Sequence, residues 1–132
     1  MIKVSFDFDS TLDRVDIQQY ALDLISKGIE VWICTSRSKD PSGIKWIVNG
    51  NLTSPNNDDL YQVAEILDIP HERIIFTDHA MKSDVIKNID FKWHLNDDYV
   101  ELNELNSRTK IKGISCWGNT VWKYKCNKIL GL

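Results

Sequence analysis

IKVSFDFDSTLDRVDIQQYALDLISKGIEVWICT, residues 2–35, decides the architecture. Residues 2–6 form a short apolar run that ends in acids, the pattern of a buried strand with Asp7 and Asp9 at its carboxyl end. From Asp16 to Lys27 the apolar positions Ile17, Tyr20, Ala21, Leu24 and Ile25 fall on one helical face, and Gly28 supplies the stop. Residues 29–35 are apolar and rich in β-branched side chains, so they read as a second buried strand. Strand, helix and strand in this register make a right-handed parallel crossover. The expectation is an α/β fold, a single three-layer α/β/α domain of Rossmann-like type with a mainly parallel sheet.

Working outward, residues 38–57 contain two of the three prolines and two of the six glycines. They are expected to be mostly loop, with a short apolar piece at residues 44–48 and too little chain for a lid domain. Asp58 is placed to cap a helix whose apolar face is Leu60, Val63, Ala64, Ile66 and Leu67, with Pro70 just past its end. A third strand is expected over residues 73–77, a short helix over about 80–87, and a further strand over 91–95 that again ends in acids, Asp97 and Asp98. Residues 111–117 read as an edge strand, and 120–130 as a closing helix with Trp122, Cys126 and Ile129 on one side.

At 132 residues the chain is one domain in size, and 42% hydrophobic with 27% charged residues is the balance of a soluble globular protein rather than of a disordered or membrane-embedded one. No basic and then apolar leader stands at the start, and no run approaches membrane-spanning length, so a cytoplasmic protein without membrane contact is expected. Cys34, Cys116 and Cys126 lack close metal-ligand spacing and read as free packing thiols. The net charge of −3 is unevenly spread: residues 106–132 hold Arg108, Lys110, Lys112, Lys123, Lys125 and Lys128 and no acid, so the body upstream carries −9. A solvated basic face is the plainer reading of this tail, and a landing site for a polyanion the sharper one.

In open parallel sheets ligands sit outside the carboxyl ends of the strands, where Asp7, Asp9, Thr35, Asp97 and Asp98 are all expected to fall. Carboxylates gathered there repel one another unless a cation neutralises them, and an all-oxygen donor set suits Mg2+. Val4 to Leu12, VSFDFDSTL, has a strand followed by D-x-D-x-T and Leu, and this resembles the first motif of the haloacid dehalogenase superfamily of hydrolases. VWICTSR is similar to the second motif, HAMKSDVI places Lys82 where the third motif has its lysine, and WHLNDDYVE is similar to the acidic fourth. The likeness covers residues 2–105; residues 106–132 match only as a basic closing strand and helix.

The resemblance implies a phosphatase that works through an aspartyl phosphate on Asp7, with Asp9 as general acid and base. Thr35 and Lys82 would hold the phosphoryl oxygens, and Thr11, Ser36 and Arg37 would contact substrate. Mg2+ would lie between Asp7, the Asp9 carbonyl and Asp97, with Asp98 or Glu101 near a liganding water. The acids of NDD leave two registers open, Asn96 with Asp97 or Asp97 with Asp98, and Ser36 competes with Thr35 as hydroxyl donor. Only 25 residues separate Asp9 from Thr35, so no full cap domain is expected at either usual insertion point. The expected substrate is a phosphorylated small molecule or nucleotide. An alternative is a nucleic acid end carrying a 3′-phosphate, from a weaker likeness to the phosphatase domain of polynucleotide kinase/phosphatase in TSR, the KW pair and ISCW.

Duller readings compete. Arg37 has the option of simply pairing with an acid, and His79 and His94 read as surface or satisfied packing groups. The tryptophans read as packing, although Trp46 and Trp117 are placed to stack on a base. A non-catalytic module, or a receiver that accepts phosphate as a signal, would also put acids, Thr and Lys at strand ends. A receiver, however, places its acid pair and its phospho-acceptor on different strands, whereas Asp7 and Asp9 lie two residues apart.

Overall fold

In a computed structural model, which describes residues 1–41, 46–53, 56–118 and 120–132, five strands form one parallel sheet. They are β1 (Lys3–Phe6), β2 (Glu30–Thr35), β5 (Ile74–Phe76), β6 (Phe91–Asn96) and β7 (Lys112–Ser115), in the spatial order β5-β2-β1-β6-β7. The chain runs from the centre to one edge, then returns to the centre and builds the other half. The order therefore reverses between β1 and β6, where adjacent connections leave to opposite faces and open a crevice.

The helices divide as that reversal requires. Α1 (Val15–Ser26), α2 (Asp58–Ile66) and α5 (Trp122–Leu130) contribute Tyr20, Leu24, Leu60, Ala64, Trp122 and Cys126 to one apolar cluster, which takes Val31 and Ile33 from β2. Α3 (Lys82–Ile86) and α4 (Tyr99–Arg108) contribute Ile86 and Leu105 to a cluster on the other face, with Cys34 and Trp32 from the same strand. This alternation along β2 is the period of two that puts successive side chains on opposite faces. It breaks once in β6, where Phe91 and Trp93 enter different clusters because the pairing with β1 slips between Lys3 and Ser5. The extra residue in β6 turns Trp93 under Phe6 and Tyr20, with ring centroids at 5.2 and 6.4 Å.

Several expectations need correction. Residues 38–57 are not all loop: β3 (Trp46–Val48) and β4 (Asn51–Thr53) form an antiparallel hairpin. Its turn is Asn49–Gly50, both with positive φ (52° and 79°), the residue pair that a tight hairpin favours. Residues 44 and 45 of the expected apolar piece, and the side chain of Trp46, lie outside the described residues. Asp58 is the first residue of α2 rather than its cap, which is Asn57. Ile129 is 38% exposed and does not join Trp122 and Cys126 in the core. Trp117, 73% exposed, is not packed.

Helix α4 was not foreseen in the sequence. Leu102 and Leu105 are its buried residues, so its apolar stripe is too thin to be read as periodicity. Gly113 of β7 lets it dock, since a Cβ there would stand 2.9 Å from Leu102 Cδ2 and 3.0 Å from the Leu102 carbonyl oxygen. All three cysteines are free and buried. Among the described residues no helix is long and apolar enough to cross a membrane.

Candidate active site

A cavity of about 300 Å³ opens at the carboxyl ends of β1, β2 and β6, beside the point where the strand order reverses. Asp7, Asp9, Ser10, Ser36, Lys82, Asn96, Asp97 and Asp98 line it. Β1 delivers Asp7, whose N–H donates to the Leu95 carbonyl at 2.9 Å and so extends the β1–β6 ladder by one rung. The chain then coils tightly: Leu12 N–H bonds the Asp7 carbonyl at 3.1 Å and Asp13 N–H the Phe8 carbonyl at 3.1 Å. Inside this coil Asp9 is extended and Ser10 is left-handed (φ 60°), a strained conformation for a non-glycine residue. The coil lifts Asp9 and Ser10 to the rim.

Asp7 is buried and its Oδ1 accepts from Lys82 Nζ at 2.8 Å. Lys82, 1% exposed, is the first residue of α3, and its backbone N–H is held by Glu101 Oε2 at 3.0 Å. Burial pushes the Asp7 carboxyl up to about 6 from 3.8, and the nearby Asp97 charge adds to this. The Lys82 ammonium opposes both but does not overcome them. An ionised Asp7 is thus held at a cost that a further cation near Asp7 and Asp97 would relieve.

Asp9 faces the other way. Its two oxygens accept from Arg37 Nη2 at 2.7 Å and Nε at 3.0 Å, and the same guanidinium donates to both oxygens of Asp59 at 2.7 and 2.9 Å. Arg37 also lies over the Phe8 ring, 5.0 Å from its centroid. Asp59 and Asn57, whose amide donates to the Ser38 and Lys39 carbonyls, belong to this rim and were not anticipated. No spacing rule connects residue 37 to residues 57 and 59, which meet only after β2 and α2 have packed.

The remaining expected residues divide. Ser36 lines the cavity, whereas Thr35 is fully buried and its Oγ1 accepts from the Arg37 N–H at 3.2 Å, shaping the turn. Thr11 does not reach the cavity, because its hydroxyl is buried against Cys116 Sγ at 3.5 Å. Of the four acidic-motif candidates, Asp97 stands at the rim and acts on Asp7. Asp98 caps α4, its Oδ1 accepting from the N–H groups of Val100 and Glu101. Asn96 is buried; its Oδ1 accepts from the Asp98 N–H at 3.1 Å and its amide donates to His94 Nε2 at 3.3 Å. Nδ1–H of His94 is then left to donate to Ser5 Oγ at 2.9 Å, and burial drives the imidazole well below its ordinary value. His94 is a satisfied neutral group, and His79 is exposed.

Among the described residues no group of three or more His, Cys, Asp or Glu side chains is arranged as a metal cluster. Magnesium does not require one, since it takes one or two protein carboxylates and completes its octahedron with waters and phosphate oxygens. Asp7 and Asp97, two like charges on one cavity with no His or Cys lining it, meet that demand. Comparisons of the chain with protein-family models, with curated proteins and with solved structures find no match.

Proposed function

We propose that the chain is a magnesium-dependent phosphatase of the haloacid dehalogenase type, acting on phosphomonoesters of small molecules or nucleotides through an aspartyl phosphate on Asp7. One observation carries the reading: a buried carboxylate at the tip of the central strand, ion-paired with a buried lysine, in a cavity that also holds Asp97 and Ser36. The duller rival, a polar strand end, has no reason to bury an ion pair beside another acid, because desolvation makes such pairs poor stabilisers.

A cavity of about 300 Å³ accommodates a phosphoryl group and a cation and leaves most of the leaving group outside. Chemistry then proceeds in two balanced steps. Asp7 Oδ2 attacks phosphorus, the ester P–O bond breaks towards the leaving oxygen, and that oxygen takes a proton from Asp9. Water, losing a proton to Asp9, next attacks phosphorus; the bond to Asp7 breaks and inorganic phosphate leaves. Lys82 orients the nucleophile through Oδ1 and offsets charge on the phosphoryl oxygens, with Ser36 as a hydroxyl donor. Bound Mg2+, held by Asp7 and Asp97, would neutralise the phosphoryl group against an anionic nucleophile.

Arg37 ties both oxygens of Asp9 at the rim, so the pair has to open for Asp9 to reach the leaving oxygen in the cycle. A phosphate dianion presents the same forked acceptor geometry as a carboxylate and competes for that guanidinium, while Asp59 keeps Arg37 anchored. We read the β3–β4 hairpin as too small to be a cap, which leaves the site open. The test is hydrolysis of p-nitrophenyl phosphate with Mg2+: wild type turns over, and Asp7→Asn and the EDTA-treated protein do not. Equal rates for wild type and Asp7→Asn reject the nucleophile.

A further inference from the structure

A second and larger cavity, about 870 Å³, lies at the opposite end of the sheet, where β6 and β7 begin. Its walls are two segments, residues 87–92, from the end of α3 into β6, and residues 107–112, from the last turn of α4 into β7, with Ile129 of α5 at one side. Five of the lining side chains are cationic, Lys87, Lys92, Arg108, Lys110 and Lys112, against one acid, Asp90. Asp90 is drawn off to Lys3 at 3.5 Å, and Arg108 bonds Glu104 at 3.1 Å. Among the described residues the four lysines make no ion pair and all are exposed.

This groove is not simply the basic tail seen in the sequence. It draws Lys87 and Lys92 from the acidic body and leaves out Lys123, Lys125 and Lys128, so folding selects three tail cations and adds two others. Like charges gathered in a concavity focus a positive potential, which favours an anion of many charges. The candidate active site, lined by Asp7, Asp9, Asp97 and Asp98 against Lys82, has the opposite sign. The molecule therefore presents an anionic end and a cationic end, separated by the length of the strands.

We propose that this groove binds the sugar–phosphate backbone of single-stranded nucleic acid, without sequence preference and away from the catalytic cavity. The cations come from two segments that wall one open groove, which suits a polymer that carries many phosphates. Asn88, Ser107 and Thr109 supply neutral hydrogen-bonding groups along the same walls. The aromatic residue of the lining, Phe91, is 3% exposed, so the groove offers no stacking platform and base identity goes unread. A membrane surface fits less well: Ile129, 38% exposed, is the one exposed large apolar side chain of the lining among the described residues, and the more exposed Ile47, Leu52 and Trp117 belong to other parts of the chain.

The proposal is independent of the phosphatase reading and is tested by fluorescence anisotropy with a labelled oligothymidylate, titrated at several salt concentrations. Four or five phosphate contacts predict a log–log salt slope of about −3. Lys110→Glu/Lys112→Glu, at two exposed positions, should weaken binding at least about tenfold and make the slope shallower by about 1.4. Lys123→Glu/Lys125→Glu, with the same change in net charge outside the groove, should bind within about threefold of wild type. Absence of salt-dependent binding by wild type, or equal loss in both double variants, overturns the proposal. So does binding to phosphatidylserine vesicles that needs the groove lysines while the oligonucleotide is ignored.

Discussion

Lys82→Met removes the charge from the buried pair while keeping an unbranched side chain of similar reach. In the folded protein the Asp7 carboxyl lies at about 6, against 3.8 for the free side chain. At about 1.4 kcal/mol per pH unit, holding Asp7 ionised at about pH 7.5 costs roughly 3 kcal/mol of stability. Lys82 is the strongest of the influences that lower the Asp7 value, so its loss moves the carboxyl higher still. The cost then grows only until the carboxyl takes up a proton, a ceiling of roughly 5 kcal/mol at that pH. Through Asp7 alone the substitution should therefore remove up to about 2 kcal/mol at about pH 7.5. At about pH 5 the folded-state carboxyl is largely protonated with or without Lys82, and this contribution vanishes. What remains there is relief from a buried ammonium, which favours the variant.

The same raised value fixes the direction for wild type. The folded chain binds this proton more tightly than the unfolded one, so the Asp7 contribution to stability falls as pH rises from about 3.8 through about 6. Urea denaturation in EDTA at about pH 5 and about pH 7.5, followed by tryptophan fluorescence, measures both. A destabilisation by Lys82→Met that is the same at the two pH values, or larger at the lower one, refutes the reasoning. In an Asp7→Asn background the effect of Lys82→Met should be the same at the two pH values.

Other outcomes follow from the same geometry. Arg37→Lys loses the guanidinium fork, and should raise KM for p-nitrophenyl phosphate about tenfold with a smaller change in kcat; an unchanged KM would make Arg37 a structural group only. Magnesium at tenfold its Kd should stabilise wild type by about 1.4 kcal/mol in thermal denaturation and should fail to do so for Asp7→Asn or Asp97→Asn. Gly113→Ala should destabilise by about 1–3 kcal/mol in urea, because the new methyl meets the Leu102 backbone as well as its side chain; a neutral result would mean that α4 has room to retreat from β7.

The candidate-site cavity was legible in part because its central acids sit immediately after apolar strands. Β1 and β6 end where the apolar runs end, and parallel strands bring those ends to one edge, so Asp7 and Asp97 could be placed together from the sequence. Asp98 and Glu101 share the acidic character of Asp97 but are committed to the helix starts of α4 and α3. Without the helix, an acid that caps cannot be told from an acid that awaits a ligand. Thr11 and Thr35 carried the right chemistry but turn into the protein, which a motif does not record.

By itself the sequence determined the parallel strand–helix alternation and the delivery of Asp7 to a strand tip, because apolar periodicity and chain order suffice for both. Only the tertiary structure decided that Lys82 is buried against Asp7, that Arg37 bridges Asp9 to Asp59, and that lysines from two segments share a groove. The ion pairs join residues 22 to 75 positions apart and the groove joins two separate segments, meetings governed by packing and charge rather than by any local preference of the chain.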